Sequence, residues 1–433
     1  MPEGSATAAS VRAPATHPGK LVGLGALYFA QGIPLGIAAE YLPVVLRQNH
    51  ASYSTIAAVS WLQLPWTLKV LWARAGDAPA LRTHARSVVL GLQVLLAITI
   101  ACYTFRSLSE ARWLWFGLTA TCALFASTQD VFVDGLASRT LSKEERGLGN
   151  VAQVGAYRLG MVAGGAGLLT VGGLLGERSA LVALALLTLL ACLGVLGVRE
   201  NKPISRTDAF VKKPSGTLRD ELREALAAFR AMAAPRVRAV LVVAFTFKLG
   251  LHAAAALLKP VLVDAGWSKE RIGALAVTVG TLAGVLGSVV GGLVHRKLGD
   301  RRGLLVAGTL QALACAPLVL MVGHAHRTGW VTTALAAEHA ASGLGTTVLF
   351  AALMGATDKR HAALQFTVLS TANALSLAVA GGVAGALADL VHARAVFVLG
   401  ALGSLGALAA VNGFEKAAHA LRNKDEAQET AAH

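Results

Sequence analysis

The sequence predicts an all-α membrane protein of about twelve transmembrane helices in two six-helix repeats, and three features predict it. Of its 433 residues 55% are apolar and 15% charged, with a mean hydropathy of +0.59, outside the usual range of a soluble domain. Apolar runs of about 20 residues, the length a helix needs to cross roughly 30 Å of hydrocarbon, recur along the chain. The pattern also repeats on either side of one long polar interruption.

Residues 1–19, rich in Ala, Pro and Ser, predict a disordered tail without a cleaved signal peptide. Spans then begin near residues 20, 53, 86, 111, 147 and 179, forming a first bundle over 20–198. In the interruption, 199–236, Leu218, Leu222, Leu226 and Phe229 follow helical spacing behind Thr217 and Asp220. That pattern predicts an amphipathic helix lying on the membrane as a tether, or else a docking site. Further spans begin near 237, 269, 303, 328, 361 and 393, giving a second bundle over 237–412 and a solvated tail over 413–433. The repeat is clearest where "LWARAGDAPALR" after span two answers "LVHRKLGDRRG" after span eight, and "EERGLGNVAQVGAYRLG" opening span five answers "DKRHAALQFTVLSTANAL" opening span eleven.

Lys and Arg outnumber Asp and Glu by 39 to 24, and most of the bases fall in loops on the side holding both termini. This is a topology signal, which places that side in the cytoplasm and argues against a nucleic-acid partner. Cys102, Cys122, Cys192 and Cys315 lie far apart inside apolar segments, so neither a disulfide nor a metal site is expected. The sequence contains no nucleotide-binding loop, HExxH or GxSxG, so neither catalysis nor direct use of ATP is expected, and no cofactor. Gly160 with Gly164, Gly280 with Gly284, Gly287 with Gly291 and Gly381 with Gly385 predict close helix packing. Pro34 and Pro43 predict a kinked span one.

An ionisable side chain at mid-bilayer costs roughly 2.5 to 3.5 kcal/mol, so each requires a partner, a watery cavity or a function. Eight fall within the spans: Glu40, Lys69, Asp130, Asp134, Arg158, Lys248, Lys259 and Glu338. Asp130 and Asp134, four apart, share a face of span four, and Lys248 and His252 share one of span seven. If the latter pair lines a cavity opposite Arg158, the site suits an anion; the other reading is private pairing or snorkelling, with Lys259 reaching the outer interface. Glu338 and His339 are adjacent and cannot both face a cavity, and Glu338 is the better candidate. Gln31, Gln63, Gln129, Gln365 and Asn373 offer amides to a sugar or peptide, or bond helix to helix.

The stretches "YFAQGIPLG", "LPWTLKVLWARAGD", "QDVFVDGLA", "AYRLGM", "KLGLHAAAALLKPVLVDAGWSKERIG" and "LQFTVLSTANALSLAVAGGVAGALAD" resemble, in order, the AmpG-like branch of the major facilitator superfamily. That branch holds bacterial muropeptide permeases and acetyl-CoA transporters. The resemblance implies an alternating-access carrier with a central cavity between the halves. It also makes spans two, four and five neighbours, so that Asp130 and Asp134 can serve Lys69 and Arg158, either to hold the bundle together or to exchange a proton. The superfamily signature after span two is altered, keeping Asp77 but with Ala73 at the glycine place, and His295 stands near the acid position after span eight. The conformational latch implied there would use Asp77, His295 and Asp300. The expectation is a monomeric, proton-coupled symporter of the bacterial inner membrane, moving an anionic small molecule with its termini in the cytoplasm. A muropeptide-like sugar-peptide comes first and an acyl-CoA or other phosphorylated metabolite second. A non-transporting receptor of the same fold is the alternative from another class.

Overall fold

The computed structural model describes residues 18–69, 72, 84–141, 146–198, 223, 238–357 and 362–422. Ten helices among them are long and apolar enough to cross a membrane. The longest, Lys269–His324, is two helices joined at Gly299, whose φ of 73° breaks the helical path between spans eight and nine. Span two is too irregular to be among the ten: Tyr53–Ala58 passes through a 3₁₀ turn, Val59–Gln63, before Leu64–Leu68 resumes beside Pro65. Counted this way the described residues follow twelve helical passes.

They are α1 (Gly19–Gln48), α2 (53–69), α3 (Ala85–Cys102), α4 (Arg112–Thr140), α5 (146–175), α6 (Glu177–Gly197), α7 (Arg238–Asp264), α8 (269–298), α9 (300–324), α10 (Thr328–Ala356), α11 (Ala362–Val391) and α12 (Ala393–Arg422). Helix α12 runs ten residues past the predicted end of the bundle. Phe414, Ala417, Ala418 and Leu421 are buried on one face there, and that burial outweighs the charged residues between them. Apart from Arg223, the predicted tether lies outside the described residues.

Close packing follows the small residues. A Cβ on Gly160 or Gly164 of α5 would run into the backbone of Phe29 or Ile33 of α1, so these two helices meet backbone to backbone. Gly287 and Gly291 seat α8 on Ala340 and Leu344 of α10 in the same way. Helix α1 carries Pro34 inside it and widens into a π turn at Ile37–Tyr41 just before Pro43. Proline removes a ladder donor, and a π turn is one way a helix absorbs that loss.

Apolar burial shows how the halves meet. One core cluster contains residues of both repeats, among them Ile37, Tyr53 and Leu169 with Leu258, Ile272 and Ala388. Two others belong to one half each: Leu24, Val89 and Val133 in the first, Val243, Leu304 and Val348 in the second. The shared cluster lies toward the ends of the helices away from the chain termini, the distal side, and the separate ones lie toward the terminal side. The principal contacts between halves are likewise distal: α11 on the start of α2, the start of α8 on the end of α5, and α7 on the end of α1. Among the described residues the two bundles are therefore joined chiefly on the distal side.

Candidate functional site

The first charge cluster lies within the first bundle. Lys69, at the end of α2, forms an ion pair with Asp130 of α4. Tyr28 of α1 donates a 2.7 Å hydrogen bond to Asp134, and the Gln153 amide of α5 donates another of 3.2 Å. The two acids thus tie α4 to α2, α1 and α5, as two carboxylates on one face allow.

Arg158 departs from the expected network. It contacts neither acid, makes no hydrogen bond or ion pair among the described residues, and is exposed. Its charge instead acts on Lys248 of the second bundle.

Opposite it, buried Lys248 donates to Thr346 at 2.6 Å and to Ser342 at 3.3 Å on α10. Glu338, Ser342 and Thr346 recur every four residues along α10 and so form one stripe. Glu338 acts electrostatically on both Lys248 and Lys259, while His339 turns back on it at 2.6 Å and its ring lies against Gly280 of α8. His252 is buried one turn beyond Lys248, with Nδ1 unpartnered. Lys248 is thus held by hydroxyls, without a contacting carboxylate among the described residues, and two basic side chains, Lys248 and Arg158, act on each other across the cleft.

Lys259 is paired with Glu40 of α1 across the two bundles and does not reach the distal interface. Two turns further out the same helices meet again, where Arg47 grips Asp264 through two nitrogens at 2.5 and 2.8 Å. Tyr53 donates to Asp264 at 2.5 Å beneath the Arg47 guanidinium, which lies 4.0 Å over its ring. Asp389 of α11 accepts the backbone N–H groups of Tyr53 and Ser54 at 2.9 and 2.8 Å, capping α2 from the other bundle.

Beneath this closure a pocket of about 230 Å³ opens between α2, α5 and α11, lined by Ser60, Gln63, Trp66, Thr67, Tyr157 and Ala378 among others. The Trp66 indole N–H is buried without an acceptor, and the Asn373 Oδ1 on α11 is likewise unpartnered.

Other predicted residues lie elsewhere. Gln129 donates to Gln93 of α3, which donates at 2.7 Å to the Thr188 carbonyl of α6, so its amide lies inside the first bundle and off the cleft. Adjacent residues diverge by about 100° on a helix, so facing Asp130 toward α2 sends Gln129 the other way. Gln31 is buried with both amide atoms unpartnered, and Gln365 is partly buried and bonded. His295 contacts Asp300 at 2.7 Å across the Gly299 break, while Asp77 lies outside the described residues. Among the described residues no group of three or more metal-ligating side chains gathers.

Sequence reasoning missed Tyr28, Gln153 and Gln93, whose roles have no signature beyond a polar atom in an apolar run. It also missed Arg47, Asp264 and Asp389. Charges at the ends of spans read as interface residues, and nothing local marks them as partners.

Residues 21–337 match the model of the Major Facilitator Superfamily. The anhydromuropeptide permease of Escherichia coli (strain K12) is 28% identical over 371 residues, covering 83% of this chain and 72% of that protein. The putative transporter AmpG 4 of Rickettsia conorii is 25% identical over 362 residues, covering 81% and 85%. In fold, a POT family transporter in complex with a thioalcohol-conjugated peptide superposes with a TM-score of 0.67 at 13% identity, over 92% of this chain and 96% of that one. The nucleoside transporter NupG superposes with a TM-score of 0.63 at 13% identity, over 92% and 99%.

Proposed function

The chain belongs to the Major Facilitator Superfamily and is a membrane transporter, and on that premise we propose that it imports an anionic sugar-peptide of the muropeptide class by proton-coupled alternating access. The observation that carries the cargo class is Arg158, without an ion pair among the described residues, acting on Lys248 of the other bundle. Two cations in a partly dry cavity disfavour each other, and an anion between them relieves the repulsion. The neighbouring pocket supplies what a sugar needs, an aromatic wall at Trp66 and Tyr157 beside the hydroxyl and amide groups of Ser60, Thr67 and Gln63. The similarity to anhydromuropeptide permeases supports the same choice.

The excess of bases in the loops beside the termini supports a cytoplasmic terminal side in a bacterium, with the distal side then facing the periplasm. The structure then corresponds to a carrier open inward. Proton exchange is assigned to Asp130 and Asp134, which lie nearest that opening. Asp134 is the cleaner case, because among the described residues its hydrogen bonds come from the neutral groups of Tyr28 and Gln153.

Purified protein in liposomes provides the test. Saturable uptake of a labelled anhydromuropeptide, driven by an inward proton gradient, is expected, and no uptake under any gradient refutes the reading. Asp134→Asn is expected to abolish accumulation against a gradient while leaving exchange of preloaded cargo, and full accumulation would remove Asp134 from coupling.

A further inference from the structure

Helices α1 and α7 are joined by a two-rung ionic ladder whose polarity reverses between rungs. In the outer rung α1 supplies the base, Arg47, and α7 the acid, Asp264. In the inner rung α1 supplies the acid, Glu40, and α7 the base, Lys259. The rungs differ in exposure chiefly at the inner base: the outer side chains are 21% and 39% exposed, while in the inner rung Glu40 is 29% exposed and Lys259 only 9%. An exposed pair is weak because water and salt compete for both members. A buried pair resists opening because each member, once parted, needs water or a new partner.

We propose that Glu40–Lys259 is the lock that holds the periplasmic side closed, and that protonation of Glu40 opens it. The assignment rests on the alternating-access reading above and adds to it the group whose charge sets the equilibrium between states. A pair bridging two moving bodies exists only while they are together, so its whole strength falls on one side of the conformational balance. Protonation neutralises the acid and removes the attraction, and Glu338 of α10 then remains as the acid acting on Lys259.

The surroundings isolate the switch. The segments of α2 and α5 packed against the Glu40 turn, 59–63 and 163–175, contain no titratable side chain, and Gly165 leaves room for the Glu40 stem. Facing groups that titrate or carry charge therefore come from α7, with Lys259, and from behind it on α10, with Glu338 and its partner His339. Nearer the distal surface, Glu177 receives the Tyr41 hydroxyl and lies 4.0 Å from Lys269, belonging to a separate contact.

Spin labels at Ser107→Cys and His326→Cys, exposed on distal loops of opposite bundles, report periplasmic opening without any cargo. In the otherwise native protein the longer distance should gain population as the pH falls through the carboxylate range, from about pH 6 to about pH 4. Glu40→Gln should populate the longer distance severalfold more at the higher pH and lose the pH response. Exchanging the partners, Glu40→Lys with Lys259→Glu, should restore both. A wild-type distribution or wild-type pH response in Glu40→Gln overturns the proposal, as does a native protein whose distance ignores pH. A folded swap variant that stays open also overturns it, because the shift would then come from other contacts of these residues. Failure of the transport reading would appear as absent flux, which this measurement does not use.

Discussion

Lys69–Asp130 and Glu40–Lys259 are both ion pairs at membrane depth, yet they constrain different things. The first joins α2 to α4 inside one bundle, and a rigid-body swing of that bundle carries both partners together. The second joins α1 to α7 across the cleft, and the same swing must part it. One pair is part of the bundle's integrity; the other is part of the balance between states. Similar chemistry at similar depth therefore says little about role until the moving bodies are known.

The contrast can be broken most forcefully at Lys69. Lys69→Ala strands Asp130, which is 12% exposed, and with Lys69 itself 36% exposed should cost about 1.5 to 3 kcal/mol of stability, read as a loss of melting temperature in detergent. Lys69→Met with Asp130→Leu removes both charges and should recover most of that loss, whereas no such recovery would show that Lys69 acts through something other than the pair. Next comes Arg158→Ala, which removes a charge-assisted contact to cargo worth about 1.5 to 3 kcal/mol. Its expected signature is a rise in KM of roughly ten- to a hundred-fold with the melting temperature unchanged. A stability loss instead would make Arg158 a structural residue.

Gln129→Ala should cost about 1 to 3 kcal/mol, because it leaves the Gln93 amide oxygen buried without a donor. Transport KM should not move, and a changed KM would return Gln129 to the cleft. Arg47→Ala, in the exposed outer rung, should change stability by no more than about 1 kcal/mol despite its two-pronged grip on Asp264. A larger effect would shift the lock outward from Glu40 to the surface.

Much of this was legible in the residues. The Gly160–Gly164 spacing predicted a close helix contact, which the structure makes with α1, and the passes emerged from hydropathy even where helical regularity fails at 59–63 and at Gly299. Pairing of Asp130 with Lys69 followed once spans two and four were taken as neighbours. Of the two places expected for Arg158, beside the acids of span four or opposite Lys248, the first fails, and Lys259 is privately paired with Glu40 but does not reach the outer interface. Each needed the rotation of one helix relative to another, and a long flexible side chain can reach over several such rotations.

The sequence alone determined that this chain lives in lipid, that it is built twice over, and which few ionisable groups it buries. Those properties sum over neighbouring residues and depend only on transfer from water to hydrocarbon. Tertiary structure alone decided which charges meet within a bundle, which meet between bundles, and which end of the cleft is closed. Those outcomes depend on the angle and register at which separate helices pack, and no local stretch of sequence encodes that geometry.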